Sequence, residues 1–337
     1  MGHTVALNFE DGVTRFIDVA GGESVADASY RVGINIPLDC RDGACGTCKA
    51  FVESGTFDAG NYIEDALTDD EAAEGYGLAC QIKPRSDMVL RVAASSEACK
   101  TRPAAHAGTI GAVTRLSDTT VAFTLRTGPL AFLPGQYVNI VVPGTTQHRS
   151  YSFSSPPGAA EATFLVRTIP GGLMTGFLAA ASPGDAVQFT GPVGSFYLRD
   201  VKRPVLMLAG GTGLAPFLSM LDRLAETGAM QPVHLVYGVT HDADLVEVER
   251  LSALVAAVPG FTFGTCVADP GSAHPAKGYV TDHLDPAHLH GGNVDVYLCG
   301  PPAMVEAIRQ HFTDTGVTPA SFYFEKFVPS GVVTGSA

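Results

Sequence analysis

Four cysteines constrain this 337-residue chain more than any other feature. Cys40, Cys45 and Cys48 lie at C-x4-C-x2-C spacing, and Cys80 follows well downstream. Three thiolates so close in sequence must wrap one side of a compact centre, which regular structure carrying large side chains does not allow. Gly43 and Gly46 let the loop bend until backbone N–H groups point at the sulfurs. A zinc site favours two short cysteine pairs, and a disulfide framework is a feature of oxidising compartments. Seven cysteines, with four already placed, fit a reducing compartment better.

This spacing resembles that of plant-type 2Fe-2S ferredoxins, whose potentials lie at about −400 mV and which carry one electron at a time. The flanking sequence agrees. Residues 5–9 and 14–19 read as strands, Ser24 with Asp27 opens a helix, Thr68 with Glu71 starts a second short helix ahead of Cys80, and alternation at 88–92 gives a closing strand. The expectation for residues 1–97 is a small α+β domain of β-grasp shape. Residues 98–107, rich in Ala and Pro towards their end, read as a linker. Cys99 lies there and is not needed as a ligand.

From 108 to 200 the pattern changes to short alternating strands (109–116, 121–125, 136–142, 149–153, 163–166 and 186–190) with Gly and Pro turns, the sign of an antiparallel β-barrel. From 201 to 328, apolar strands at 205–209, 234–239 and 295–299 alternate with helical stretches at 216–227 and 245–258. That predicts a parallel α/β nucleotide-binding domain. Residues 329–337 have no periodicity and read as a loose tail.

The chain carries 21 Lys+Arg against 34 Asp+Glu, and the excess acid is concentrated in residues 1–97, which hold 17 Asp+Glu and 7 Lys+Arg, a balance of −10. A negative face there suits a basic partner protein and argues against nucleic acid, and it also serves plain solubility. No apolar run reaches the length of a membrane span and the start lacks a signal-peptide pattern, so the expected location is the cytoplasm, with no membrane partner.

In the middle segment Arg149-Ser-Tyr-Ser-Phe-Ser-Ser155 places a cation, a ring and hydroxyls along one strand. Downstream, Gly171-Gly-Leu-Met-Thr175 opens a helix whose free N–H groups and Thr175 hydroxyl suit a pyrophosphate. Each pattern alone is also that of an ordinary strand or turn.

Taken in order, the motifs resemble the ferredoxin-NADP reductase superfamily, and within it the NADH-dependent reductase components of two-component ring-hydroxylating dioxygenases of the benzoate, toluate and anthranilate type. The resemblance runs through the cysteine loop, Asn61-Tyr-Ile-Glu-Asp-Ala-Leu67, the 149–155 run, Gly191-Pro-Val-Gly-Ser-Phe-Tyr-Leu-Arg-Asp200, Leu208-Ala-Gly-Gly-Thr-Gly-Leu-Ala-Pro216, Cys299-Gly-Pro-Pro302 and Phe324-Glu-Lys-Phe327. It implies that Cys40, Cys45, Cys48 and Cys80 hold the 2Fe-2S cluster. For FAD, it implies that Arg149 binds the phosphates, Tyr151 lies against the isoalloxazine ring, Ser152 sits near its reactive nitrogen, and Gly172, Leu173, Met174 and Thr175 receive the pyrophosphate. Gly210, Gly211, Thr212 and Gly213 would form the NAD-binding turn, with Cys299, Gly300 and Pro301 bordering the nicotinamide and Glu325 and Phe327 closing the site beside the flavin. Tyr151, Ser152, Cys299 and Glu325 are the residues so placed at the reacting atoms. The turn is not the G-x-G-x-x-G fingerprint, which separates this chain from standard dehydrogenases. Thr240-His-Asp-Ala-Asp244 offers acids and no Arg or Lys to a 2′-phosphate, which favours NADH, with His241 opposing weakly.

The function so implied is a relay, from NADH as two electrons to FAD and then singly through the cluster to a Rieske-type terminal oxygenase, on benzoate or a related aromatic acid. The rival client is the diiron hydroxylase of a phenol or alkane monooxygenase. A third reading, a redox-sensing regulator, lacks support because the chain has no DNA-binding helical motif or basic stripe.

Overall fold

The computed structural model describes residues 2–327; the tail expected at 329–337 lies outside them. The chain divides into two compact units. One comprises residues 1–104 with 193–195, and the other 105–192 with 196–337.

The first unit is built on a mixed five-stranded sheet, order β2-β1-β7-β3-β5, of β1 (His3–Phe9), β2 (Thr14–Val19), β3 (Lys49–Ser54), β5 (Tyr76–Leu78) and β7 (Met88–Val92). β4 (Phe57–Asp58) and β6 (Lys83–Pro84) make a small ladder of their own. β1 and β7 are parallel, and β2 and β3 flank them antiparallel. Helix α1 (Val25–Arg31) is opened by Ser24, whose hydroxyl accepts from the Asp27 amide. α2 (Asp69–Ala73) carries the full Thr68/Glu71 capping box. Both starts were legible as capping patterns. The stretch expected as linker departs from that expectation: residues 98–104 belong to the first unit, Ala98–Lys100 form a 3-10 turn, and Cys99 is 2% exposed, with its carbonyl accepting from the Asn35 amide at 2.7 Å. Burial of an apolar thiol and two hydrogen bonds to Asn35 outweigh the loop-like composition.

In the second unit β8 (Ala104–Arg115), β9 (Thr120–Arg126), β10 (Tyr137–Val141), β11 (His148–Ser152), β12 (Glu161–Arg167) and β13 (Ala186–Val193) form one sheet, order β11-β10-β13-β8-β9-β12. Its two edges meet through an antiparallel bridge between Phe153 and Phe164, so the sheet closes as a barrel. Phe123, Phe153 and Phe164 are fully buried in its core. Helix α3 (Leu173–Ala180) lies between β12 and β13 in the chain.

The rest is a parallel five-stranded sheet of β14 (Val205–Gly210), β15 (Val233–Val239), β16 (Phe261–Val267), β17 (Asp295–Gly300) and β18 (Ser321–Lys326), in the order β16-β15-β14-β17-β18. Alternate residues feed two cores. Met207, Ala209, Leu235 and Tyr297 face α4 (Ala215–Thr227) and α5 (Val248–Ala257), while Leu206, Leu208, Val296 and Leu298 face α6 (Pro286–Leu289) and α7 (Pro302–Thr315). The chain runs outward from β14 to β16, then returns to β17 on β14's other side. The switch point between β14 and β17 is where such sheets take ligands, beyond their carboxyl ends. The antiparallel barrel and parallel sheet agree with the sequence expectation. Sequence periodicity gave no strand at β18, whose residues are all only half-buried.

Candidate redox sites

The cysteine loop is held from both sides. The Gly43 carbonyl accepts from the Ile63 amide at 3.2 Å, and a Cβ on Gly43, whose φ is +85°, would run into the Asn61 carbonyl. A Cβ on Gly46 would come within 2.9 Å of the Ala66 carbonyl oxygen. The 61–67 run is thus the surface on which the loop is moulded. On the far side the Ala79 amide donates to the Cys48 carbonyl, and the Val25 and Ala26 amides at the start of α1 donate to the Ile82 and Ala79 carbonyls. These contacts set Cys80 beside Cys48.

The four thiols fall into two pairs. Cys40 donates to Cys45, and Cys48 donates to Cys80, each accepting sulfur being drawn below its ordinary pKa chiefly by that hydrogen bond. Backbone N–H groups of Asp42, Thr47, Cys80 and Gly43 point at the sulfurs of Cys40, Cys45, Cys48 and Cys80. Two thiol pairs lined with N–H donors fit two irons, each held by two thiolates. Cys48 is buried and Cys45 is exposed, so one edge of the site faces solvent.

In the barrel, Arg149 and Tyr151 lie on β11 in register with Ile140 and Val138. Tyr151 packs edge-on to Phe123 at 6.1 Å, and burial pushes its hydroxyl pKa up, so the phenol stays neutral. Arg149 keeps its guanidinium near the surface, bonded to the His148 carbonyl and the Gln147 side chain. Gly172 heads α3 and offers no side-chain cap to the N–H groups of the first turn. Thr175 Oγ1 accepts from the Ile169 amide at 3.0 Å, which fixes the oxygen and leaves its proton for a phosphate acceptor. Met174 is 3% exposed and packs into the barrel core, while Leu173 is 40% exposed. An uncapped helix start, a surface cation and a half-buried neutral ring fit the two ends of FAD.

At the switch point the strand ends are stripped of side chains. A Cβ on Gly300 would come within 2.8 Å of the Met304 sulfur and 3.4 Å of the Gly210 Cα. A Cβ on Gly213, in the turn Gly211–Leu214 that also holds Thr212, would strike the Cys299 carbonyl. Neither position has room for a side chain, so the glycine turn and the end of β17 approach backbone to backbone, and it is main chain that this end of the sheet would offer a nucleotide. Pro301 follows it and caps α7 without a side-chain bond.

Cys299 stands in register with Ala209 on one side and Glu325 on the other. It is fully buried, and burial first, then the Glu325 carboxylate, raises its pKa well above the ordinary value. It is therefore a neutral thiol beneath the glycine turn. Across from the barrel, the buried Ser152 hydroxyl donates to the Glu325 carboxylate at 3.3 Å. Phe327 is tied back to the Gly300 carbonyl at 2.8 Å. Ser152, Cys299 and Glu325, far apart in sequence, thus form one cluster.

Beyond β15, His241 faces Asp269 at 3.3 Å, Asp242 accepts from Ser272 at 2.7 Å, and Asp244 accepts from Thr119 of the barrel. His241 is thereby engaged by an acid, and Asp242, bonded to Ser272 through one oxygen, is an exposed acid of this edge. Three contacts across the second unit join residues that no local spacing pairs: Thr119 with Asp244, Arg250 with Ser154, and Arg199 set between the rings of Tyr197 and Tyr323 at 3.7 and 4.2 Å.

Three domain families match the chain: a 2Fe-2S iron-sulfur cluster binding domain over residues 8–85, an oxidoreductase FAD-binding domain over 108–197 and an oxidoreductase NAD-binding domain over 207–310. The chain is 56% identical to the toluate 1,2-dioxygenase electron transfer component of Pseudomonas putida, over 98% of this chain and 100% of that protein. It is 50% identical to the 2-halobenzoate 1,2-dioxygenase electron transfer component of Burkholderia cepacia, over 97% and 98%. Among solved structures, the Amycolatopsis cytochrome P450 reductase GcoB superposes with a TM-score of 0.71 at 33% identity, covering 97% of this chain and 99% of that one.

Proposed function

This chain belongs to the electron transfer components of aromatic-acid 1,2-dioxygenases, built on the ferredoxin-NADP reductase plan, and on that premise we propose that its client is a Rieske-type terminal oxygenase acting on benzoate or a related aromatic acid. The protein is an oxidoreductase that passes electrons from NADH through FAD and a 2Fe-2S cluster. FAD, when bound, takes up two electrons together and gives them out singly, which is what joins a hydride donor to a one-electron centre.

The observation that carries the reading is the Ser152–Glu325 contact, with Glu325 in register with Cys299. It brings the end of the flavin strand onto the carboxyl ends of the nucleotide sheet. Ser152 offers a hydroxyl where the ring's reactive edge would lie, and Glu325 fixes the direction of that hydroxyl. Cys299, kept protonated and wholly buried beneath the nucleotide turn, presents no competing nucleophile. Arg149 and the first turn of α3 take the phosphate charge, and Tyr151 takes the ring face. The cysteine pairs would hold the cluster, with the exposed Cys45 edge as the exit for electrons. NADH is preferred to NADPH, because Asp242 meets a ribose hydroxyl well and a 2′-phosphate badly.

The acidic excess of residues 1–97 suits a basic docking face on the oxygenase. Among the described residues no helix is long and apolar enough to cross a membrane, and the proposed setting is the cytoplasm. The deciding experiment is anaerobic titration with NADH and NADPH, followed by reconstitution with a Rieske oxygenase and with a diiron hydroxylase. Flavin and iron-sulfur bands should bleach readily with NADH only, and aromatic-acid turnover should follow with the Rieske partner. Faster coupling to the diiron enzyme would overturn the assignment of the client.

A further inference from the structure

A second tie between the flavin strand and the nucleotide sheet starts from Arg250, which lies outside every motif, and ends on a main-chain carbonyl of the 149–155 run. Arg250, in the first turn of α5, places Nη2 2.7 Å from the Ser154 carbonyl oxygen and 2.7 Å from the Asp222 carboxylate on α4. Its Nη1 stands 3.6 Å from Glu247. Ser154 is wholly buried, two residues beyond Ser152, and its amide donates to Thr163 across the seam where the barrel closes. Asp222 lies on the helix that begins at the glycine turn. The guanidinium therefore spans three pieces: the strand that faces the flavin, the helix that follows the nucleotide turn, and the helix beyond β15.

The chemistry suits a fixed spacer. A planar guanidinium can donate to a carboxylate and a carbonyl together, and charge-assisted bonds of this length are stronger than neutral ones. The side chains of Arg250 and Asp222 are 30% and 21% exposed, so water competes weakly for them. Burial pushes the Asp222 carboxyl up while Arg250 pulls it down, which leaves the two groups dependent on each other. Arg250 reaches no residue assigned above to a cofactor, so any effect it has on chemistry acts through Ser154 and the strand that carries Ser152.

We propose that Arg250, anchored by Asp222, is a positioning residue for hydride transfer, holding the end of the flavin strand at a fixed distance from the nucleotide turn so that nicotinamide and flavin meet in a reactive approach. This rests on the NADH-to-flavin reading of the same site. No bond to Arg250 forms or breaks.

The test uses full-length holoprotein, with Arg250→Met, Arg250→Lys and Asp222→Asn. Anaerobic stopped-flow reduction by NADH, and by NADH deuterated at the transferred position, separates affinity from the hydride step. Wild-type protein that NADH does not reduce would sink the functional reading itself, before any variant is made. With that reading standing, Arg250→Met should keep its FAD, bind NADH within about threefold of wild type, and lose about 10- to 100-fold in limiting rate with a full isotope effect, the scale expected when reacting groups are displaced by about 1 Å. Arg250→Lys should recover part of that loss. Asp222→Asn should lose less in the same parameter, and it carries the test if the Met variant does not load FAD. A limiting rate within twofold of wild type, or a defect confined to NADH affinity, overturns the proposal.

Discussion

The Ser152 hydroxyl sits 3.3 Å from the Glu325 carboxylate, although the two residues lie 173 positions apart. Ser152→Ala should keep FAD and reduce the rate of NADH-dependent ferricyanide reduction by about 10²-fold, the scale for losing one aimed donor. Glu325→Gln, which retains an acceptor but loses the charge, should cost less. Unchanged rates in both would show that the contact is structural only.

Cys45→Ser removes the exposed member of a thiol pair. Iron-sulfur absorption and reduction of one-electron protein acceptors should be lost, while ferricyanide reduction stays within about twofold, since a reduced flavin can serve a small dye directly. Retained iron-sulfur absorption would count against Cys45 as a ligand.

Gly213→Ala puts a methyl group onto the Cys299 carbonyl. Overpacking of this kind costs about 1–3 kcal/mol. The displaced turn should raise the NADH KM by about tenfold or more, on the scale of that energy, while flavin content is preserved. A normal KM would mean that the turn has room that the structure denies it.

His234 stacks on His288 with ring centroids 3.6 Å apart and bonds Thr262 through Nδ1 at 2.7 Å. Burial, then the neighbouring His288, lowers the His234 pKa from 6.5 to about 4, with Asp285 opposing. A folded pKa below the unfolded one means stability that is complete above pH 6.5 and drains away as the pH falls towards 4. The full shift corresponds to about 3 kcal/mol, and solvent screening of this partly exposed ring cuts the expected drain to about 2 kcal/mol. Because the chain has no Trp, circular dichroism is the natural probe. The Tm of His234→Gln should fall less than that of wild type between pH 7 and 4.5; parallel falls would exclude His234 as the source.

The cysteine loop and the proposed flavin and nucleotide runs stand out in the sequence because each needs particular residue types at fixed local spacing. Cys299 at the nicotinamide and Glu325 beside the flavin came only through resemblance, and nothing local announces the register of two parallel strands that sets them side by side. Arg250 reads as an ordinary charge on a helix, and its acceptor is a main-chain carbonyl, which any residue could supply. Thr119 is equally silent, and Asp244, expected to face the nucleotide, is spent on it. The 98–104 segment misled because its composition is that of a linker, whereas what fixes it is burial of Cys99 and two bonds to Asn35.

β18 comes later in the chain than every other described element, at the edge of its sheet, and brings Glu325 and Phe327 with it. A chain emerging from the ribosome thus has its cysteine loop early and the proposed hydride site only once β18 has followed, given that domains fold in order of synthesis. Nascent or prematurely terminated chains that stop after α7 would hold the iron-sulfur ligands but lack Glu325, and so would be poor at drawing electrons from NADH in the cell.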